Sequence, residues 1–239
     1  MAGRLFVVGI GPGDPELMTL KAVRILKQVP CIFVPKGREE GTSLALSIVQ
    51  KTLSLGNKEI VDAYFPMKKT MGTADTGELD IKWNETVDAV VGRLNRGMDA
   101  AFITIGDPAI YSTFFYLYDR LLELKPALHI EIVPGISSVN AAAARAGLYL
   151  GLGNDRIAIL PANYLDSLQE TLEKFDTVVL MKVSKVFDTV RDTLVEMGLA
   201  AGATYVARAG MEDERIRKDI RTVKEKDMNY FSLVIVRRR

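Results

Sequence analysis

The sequence has a single cysteine, Cys31, and a single histidine, His129, in 239 residues. One cysteine excludes an internal disulfide, and its place in the apolar run Cys31–Val34 marks it as a core residue rather than a nucleophile. His129 opens another apolar run and is expected to be buried. With no partner histidine or cysteine, a His/Cys metal site is out of reach of the chain, and no metal is expected. Charge of one sign is also missing. Lys+Arg 31 against Asp+Glu 30 leave a formal net charge of +1, so no overall field draws nucleic acid or a membrane. The basic run Arg237-Arg238-Arg239 reads as a solvated end. No apolar run approaches the roughly 20 residues that span a bilayer, and Leu5-Phe6-Val7-Val8 is too short for a signal-peptide core. The expectation from these absences is a cytoplasmic protein with no nucleic-acid or membrane partner.

What is present suits a packed α/β protein. The chain is 48% hydrophobic and 26% charged, ordinary for a globular fold and enough for a sizeable core. Its length fits two domains of roughly 120 residues each. Short β-branched runs alternate with helical patterns, the signature of βαβ units and mostly parallel sheet. The predicted strands are Leu5–Ile10, Cys31–Val34, Ile60–Tyr64, Ala100–Ile105, His129–Val133, Arg156–Leu160, Thr177–Lys182, Thr204–Arg208 and Tyr230–Val236. Predicted helices include Pro15–Lys27 and Ile81–Arg96, the latter with Trp83, Val87, Val90, Val91 and Leu94 on one side. Lys125-Pro126 ends a helix and sets the boundary between an N-terminal domain, 1–122, and a C-terminal one, 123–239. The last strand has no following helix, which predicts an antiparallel edge or hairpin beyond the charged segment Glu212–Lys226.

Three places where a strand ends in a turn carry the chemistry. The first is Gly9-Ile10-Gly11-Pro12-Gly13-Asp14-Pro15. Its glycines let the backbone take positive φ and approach a ligand closely, Asp14 can cap a helix, and Pro15 suits the first helical position. The dinucleotide fingerprint Gly-x-Gly-x-x-Gly does not fit, because it needs glycine where Asp14 stands. Asp14 would set a negative charge against a pyrophosphate, and Pro12 removes an N–H. The second turn, Ile105-Gly106-Asp107-Pro108-Ala109-Ile110-Tyr111, repeats the device. The third is Val133-Pro134-Gly135-Ile136-Ser137-Ser138, running into Ala141-Ala142-Ala143-Ala144, where a capped helix could admit another element closely. Turns of this kind at the carboxyl ends of parallel strands border ligand crevices. An aspartate there suits ribose hydroxyls or an amine rather than phosphate.

In this order the segments resemble the tetrapyrrole (corrin/porphyrin) methylase family over nearly the whole chain. Besides the three turns, the resemblance rests on Val178-Val179-Leu180-Met181 and Ala207-Arg208-Ala209-Gly210. Phe65-Pro66-Met67, Tyr111-Ser112-Thr113-Phe114, Leu160-Pro161-Ala162 and Met181-Lys182-Val183 are most similar to the branch acting on carbon 20 of precorrin-2 or cobalt-precorrin-2. The resemblance implies two α/β domains with S-adenosylmethionine in the cleft between them, S-adenosylhomocysteine as product, and a homodimer. Carried over residue by residue, cofactor contacts fall on Pro12, Ile105, Gly106, Asp107, Ile110, Ser137, Ser138, Met181 and Gly210.

A substrate with several carboxylates calls for cations near turns. Arg208 is the first candidate, followed by Lys36 and Arg38, with Lys68 and Lys69 behind them. No catalytic base is identified. The competing readings are a methylase of another corrin carbon, diphthine synthase, a non-catalytic tetrapyrrole-binding module and an NAD enzyme.

Overall fold

The structure, a computed structural model, describes residues 2–37, 40–65, 77–164 and 167–238. The chain divides into two units, Met1–Ser137 and Ser138–Arg239.

In the first unit, β1 (Leu5–Gly9), β2 (Cys31–Lys36), β3 (Glu59–Tyr64), β4 (Ala100–Thr104) and β5 (Ile130–Val133) form one sheet. Its order is β3-β2-β4-β1-β5, parallel throughout. β1 and β4 are buried at every position, as parallel strands covered on both faces must be. Alternation sends Leu5, Val7, Phe33 and Phe102 to one face. There they meet Val87, Val90 and Leu94 of α3 (Gly77–Asn95), with Leu117 and Leu121 of α4 (Phe115–Leu124). Val8, Ile32 and Ile103 alternate to the other face, beside α1 (Leu20–Gln28) and α2 (Leu44–Gln50), which bury Ile25, Leu26, Ile48 and Val49. Each such side chain contributes about 1.5–3 kcal/mol.

Three expectations change here. The single helix predicted over Pro15–Lys27 is a 3-10 turn, Pro15–Leu17, followed by α1. Thr19 starts the helix afresh, its Oγ1 accepting from the Ala22 N–H at 3.1 Å. His129 is exposed, not buried; it precedes β5 and gives only its carbonyl to the sheet, accepting from the Leu5 N–H at 3.0 Å. The division between units falls at Ser137/Ser138 rather than 122/123, because β5 pairs with β1 and so belongs to the first sheet.

In the second unit, β6 (Ile157–Pro161), β7 (Thr177–Met181), β8 (Ala203–Ala207), β9 (Arg215–Arg217) and β10 (Ser232–Arg237) lie in the order β6-β7-β10-β8-β9. The α/β character recurs, but this sheet is mixed: β6 and β7 are parallel and the other pairings antiparallel. The closing strand is antiparallel as expected, yet it is the central strand rather than an edge, buried at its first five positions. One face carries Val178, Leu180, Tyr205, Val234 and Val236 under Leu172 of α6 (Leu168–Lys174) and Val190 and Leu194 of α7 (Phe187–Glu196). α5 (Ser138–Ala146) lies against β8 and β10, and its buried Ala141, Ala142 and Ala143 allow that close approach. β9 was not anticipated.

The solvated-end expectation fails for Arg237, half-buried as the last residue of β10, whereas Arg238 is exposed. The Arg237 guanidinium stands 3.6 Å from the Tyr149 ring centroid. Arg238 donates its N–H to the Asp176 carbonyl at 3.1 Å and its Nη1 to the Glu173 carbonyl at 2.6 Å. Arg239 is outside the described residues.

Candidate functional site

Because β1 lies between β4 and β5, the loops leaving their carboxyl ends meet. The Gly11 N–H donates to the Gly106 carbonyl at 3.3 Å and the Gly106 N–H donates to the Gly11 carbonyl at 2.7 Å, an antiparallel bridge between the first and second loops. Gly11 has φ +79° and Gly106 φ +77°, values that cost glycine no strain. Absence of side chains matters as much as φ. A β-carbon on Gly9 would come 2.7 Å from the Gly106 oxygen and 2.8 Å from the Gly135 nitrogen, and one on Gly135 would come 2.9 Å from Gly9 Cα. Three main chains therefore touch at Gly9, Gly106 and Gly135.

Asp107 latches this junction. Its Oδ1 accepts from the Ala109 N–H at 2.8 Å, closing its own turn, and its Oδ2 accepts from the Gly135 N–H at 2.8 Å, tying down the third loop. The sequence assigned Asp107 to a ligand; the structure gives each of its oxygens a backbone donor. A carboxylate has acceptor capacity for further bonds, and this one is half-buried. Pro12 and Gly106 are buried, while Ile105 and Ile110 keep part of their apolar surface accessible. Ser137 is buried at the end of the third loop. Asp14 caps as foreseen, accepting from the Glu16 N–H at 2.9 Å.

Lys36, at the end of β2, pairs with Asp62 at 3.0 Å. Arg38, Lys68 and Lys69 lie outside the described residues, as do Pro66 and Met67. Cys31 is buried, and burial, seconded by the charge of Glu59, pushes its thiol up to about 11. It carries little thiolate at neutral pH and is no nucleophile.

The second unit places Met181 at the end of β7, half-buried, and Gly210 just past β8. Ser138 opens α5. The residues after β7 and β8, Lys182 and Arg208, have φ +57° and +54°, left-handed values that cost a side-chain-bearing residue about 1–3 kcal/mol. Arg208 is paired through Nε with Asp213, whose carboxyl is held below its usual range chiefly by that hydrogen bond. The Gly210 N–H donates to Glu214 Oε2 at 2.7 Å, and Glu214 is clamped in turn by Arg145 Nε at 2.8 and 3.1 Å. Asp213, Glu214 and Arg145 organise this loop and were missed. The signal was available, since both carboxylates fall within the charged segment read as a spacer.

Among the described residues no group of three or more His, Cys, Asp or Glu side chains is disposed to hold a metal ion. Nor is any described helix long and apolar enough to cross a membrane.

A two-unit α/β protein with glycine loops gathered at strand ends is the architecture of a small-molecule enzyme. The tetrapyrrole (corrin/porphyrin) methylases match residues 4–224, and the chain belongs to that family. It is 33% identical over 238 residues to the cobalt-precorrin-2 C(20)-methyltransferase of Salmonella typhimurium, covering 99% of this chain and 97% of that one. It is 32% identical over 240 residues to the precorrin-2 C(20)-methyltransferase of Sinorhizobium sp, covering 98% and 95%. The uroporphyrin-III C-methyltransferase of Thermus thermophilus, crystallised with S-adenosylhomocysteine, shares the fold at a TM-score of 0.66 and 21% identity, covering 99% of this chain and 98% of that one.

Proposed function

We propose that the chain transfers the methyl group of S-adenosylmethionine to carbon 20 of precorrin-2 or cobalt-precorrin-2, a step of cobalamin biosynthesis, and releases S-adenosylhomocysteine. The observation that carries this reading is identity of about a third, over nearly the full length, to enzymes named for that reaction in both its cobalt and its metal-free forms. A relative of the same fold crystallised with S-adenosylhomocysteine supports the choice of cofactor. We further propose a cytoplasmic homodimer.

The loops fit such a cofactor chemically. Asp107 keeps acceptor capacity for a hydroxyl or amine while it holds Ala109 and Gly135, and Ile105 and Ile110, in the same turn, are only partly buried and offer apolar surface. Pro12, Gly106, Ser137, Ser138, Met181 and Gly210 complete the assignment. Bound S-adenosylmethionine supplies an electrophilic methyl group on a sulfonium. The chain's part is to orient and to exclude water, which can account for much of a displacement's acceleration. One S–C bond breaks, one C–C bond forms, and the acceptor carbon loses a proton; that carbon is nucleophilic through its conjugated ring, so no protein base is needed to begin. Arg208, Lys36 and Arg38 are assigned to the carboxylates of the substrate.

The test is to incubate the protein with methyl-labelled S-adenosylmethionine and precorrin-2, with and without cobalt, and to locate the label by NMR. Label on carbon 20 is expected. Label on another ring carbon would mark a methylase of different regiochemistry, and no transfer to any tetrapyrrole would sink the reading.

A further inference from the structure

The carboxyl ends of β7 and β8 flank the start of β10: Leu233 stands opposite Met181 on one side and Val206 on the other, and Ser232 stands opposite Ala207. Continuing that register outward, Lys182, just past β7, comes level with Ser232, while Arg208, just past β8, comes level with Phe231. The last two are joined by a hydrogen bond from the Arg208 N–H to the Phe231 carbonyl at 2.7 Å. Two strand spacings put the backbones of Lys182 and Arg208 about 10 Å apart, with the start of β10, at Phe231 and Ser232, between them. Tyr230 meets Phe231 edge to face at 5.1 Å, and both rings are substantially exposed, 51% and 39%.

The turn that presents them is anchored firmly. Asn229 Oδ1 accepts from the Phe231 N–H at 2.9 Å, the Asn229 N–H donates to Tyr205 Oη at 3.2 Å, and Ser232 Oγ donates to the Asn229 carbonyl at 2.6 Å. Tyr205 is fully buried and donates to the Asp227 carbonyl at 2.9 Å. Scattered surface aromatics need no explanation. An adjacent pair on a pinned turn, between two cations on strained left-handed backbone, is a different matter, because strain of that kind gathers at functional sites.

We propose that Phe231 and Tyr230, flanked by Lys182 and Arg208, form the surface that seats the tetrapyrrole and so sets which ring carbon is presented for methylation. The aromatic faces take the conjugated ring plane, and the cations take carboxylates on its rim. This rests on the function proposed above and assigns specificity-determining residues to it.

Two measurements separate the claims. Equilibrium binding of a stable porphyrin polycarboxylate, uroporphyrin III, is followed by its own fluorescence, and methyl transfer to precorrin-2 is measured in parallel. Phe231→Ala is expected to raise the porphyrin Kd about 5- to 20-fold, with rescue by Phe231→Tyr. Lys182→Gly removes the cation while suiting the positive φ, so it should leave the melting temperature unchanged or raised and yet weaken porphyrin binding about 3- to 10-fold. The Lys182 effect should shrink at high salt. In the Phe231 variants the Kd for S-adenosylhomocysteine should not move.

Porphyrin binding unchanged in both Phe231→Ala and Lys182→Gly would overturn the proposal, as would a wild-type chain that binds no porphyrin. Binding that depends on these residues, in a chain that transfers no methyl to precorrin-2, would support the surface and overturn only the proposed reaction.

Discussion

A β-carbon at Gly9 would face backbone atoms of two other loops, and no rotamer change can relieve a clash with backbone. Gly9→Ala is therefore expected to cost about 2–4 kcal/mol in urea unfolding; an unchanged midpoint would mean the three loops separate freely. Asp107→Asn probes the latch. An amide has one acceptor oxygen where the carboxylate has two, so either Ala109 or Gly135 loses its acceptor, at about 1–3 kcal/mol. Lost affinity for S-adenosylmethionine without that loss of stability would assign the carboxylate to the ligand alone. Asp213 gives a pH-dependent case. Arg208 lowers its folded pKa, so the pair's stabilisation is complete above the unfolded carboxylate value and is lost as pH falls through the lower folded value. Both partners are partly exposed, which limits the pair to about 1 kcal/mol or less. In Arg208→Ala, carboxyl NMR should show Asp213 titrating nearer its ordinary value of 3.8; an unmoved titration would show that the arginine is not the cause.

At the scale of elements, β10 and β9 differ sharply despite lying in one sheet. Ile235 of β10 is fully buried between Val179 of β7 and Thr204 of β8, so Ile235→Ala should cost about 2–5 kcal/mol. Ile216 of β9 is half-buried on an edge strand paired only with β8, and Ile216→Ala should cost less than about 1.5 kcal/mol. Comparable losses in denaturant melts would contradict the strand order. The same contrast explains what could be read from the sequence. β1 and β4 announce themselves as unbroken apolar runs, and their glycine turns are visible at once. Which sheet a strand joins is not written locally: Lys125-Pro126 marks the end of a helix well enough, but only pairing with β1 places β5 in the first unit. β9 offers one apolar residue between two arginines and no periodicity. The lack of a following helix points β10 toward an edge, although its five consecutive buried positions fit a strand flanked on both sides. Likewise the three loops are legible as glycine turns at strand ends, while their contact at Gly9, Gly106 and Gly135 follows from strand order alone.

For the whole molecule, a net charge of +1 leaves little long-range steering, so selectivity among adenosine-bearing ligands must come from local contacts. A ligand that binds only the folded chain stabilises it by about 2.7 kcal/mol at a hundredfold excess over Kd. For a chain of this size that is a rise of about 5–10 °C in melting temperature. S-adenosylhomocysteine carries an amine and ribose hydroxyls that Asp107 can receive, and it has no pyrophosphate. NADH brings two phosphates to a first loop that lacks the Pro12 N–H and carries the Asp14 carboxylate at the start of its following turn, where a dinucleotide site would present bare backbone donors. A thermal melt with each ligand should show the rise with S-adenosylhomocysteine and none with NADH. An equal rise with NADH would mean the Asp14 turn accepts a pyrophosphate after all, and the cofactor assignment would fall with it.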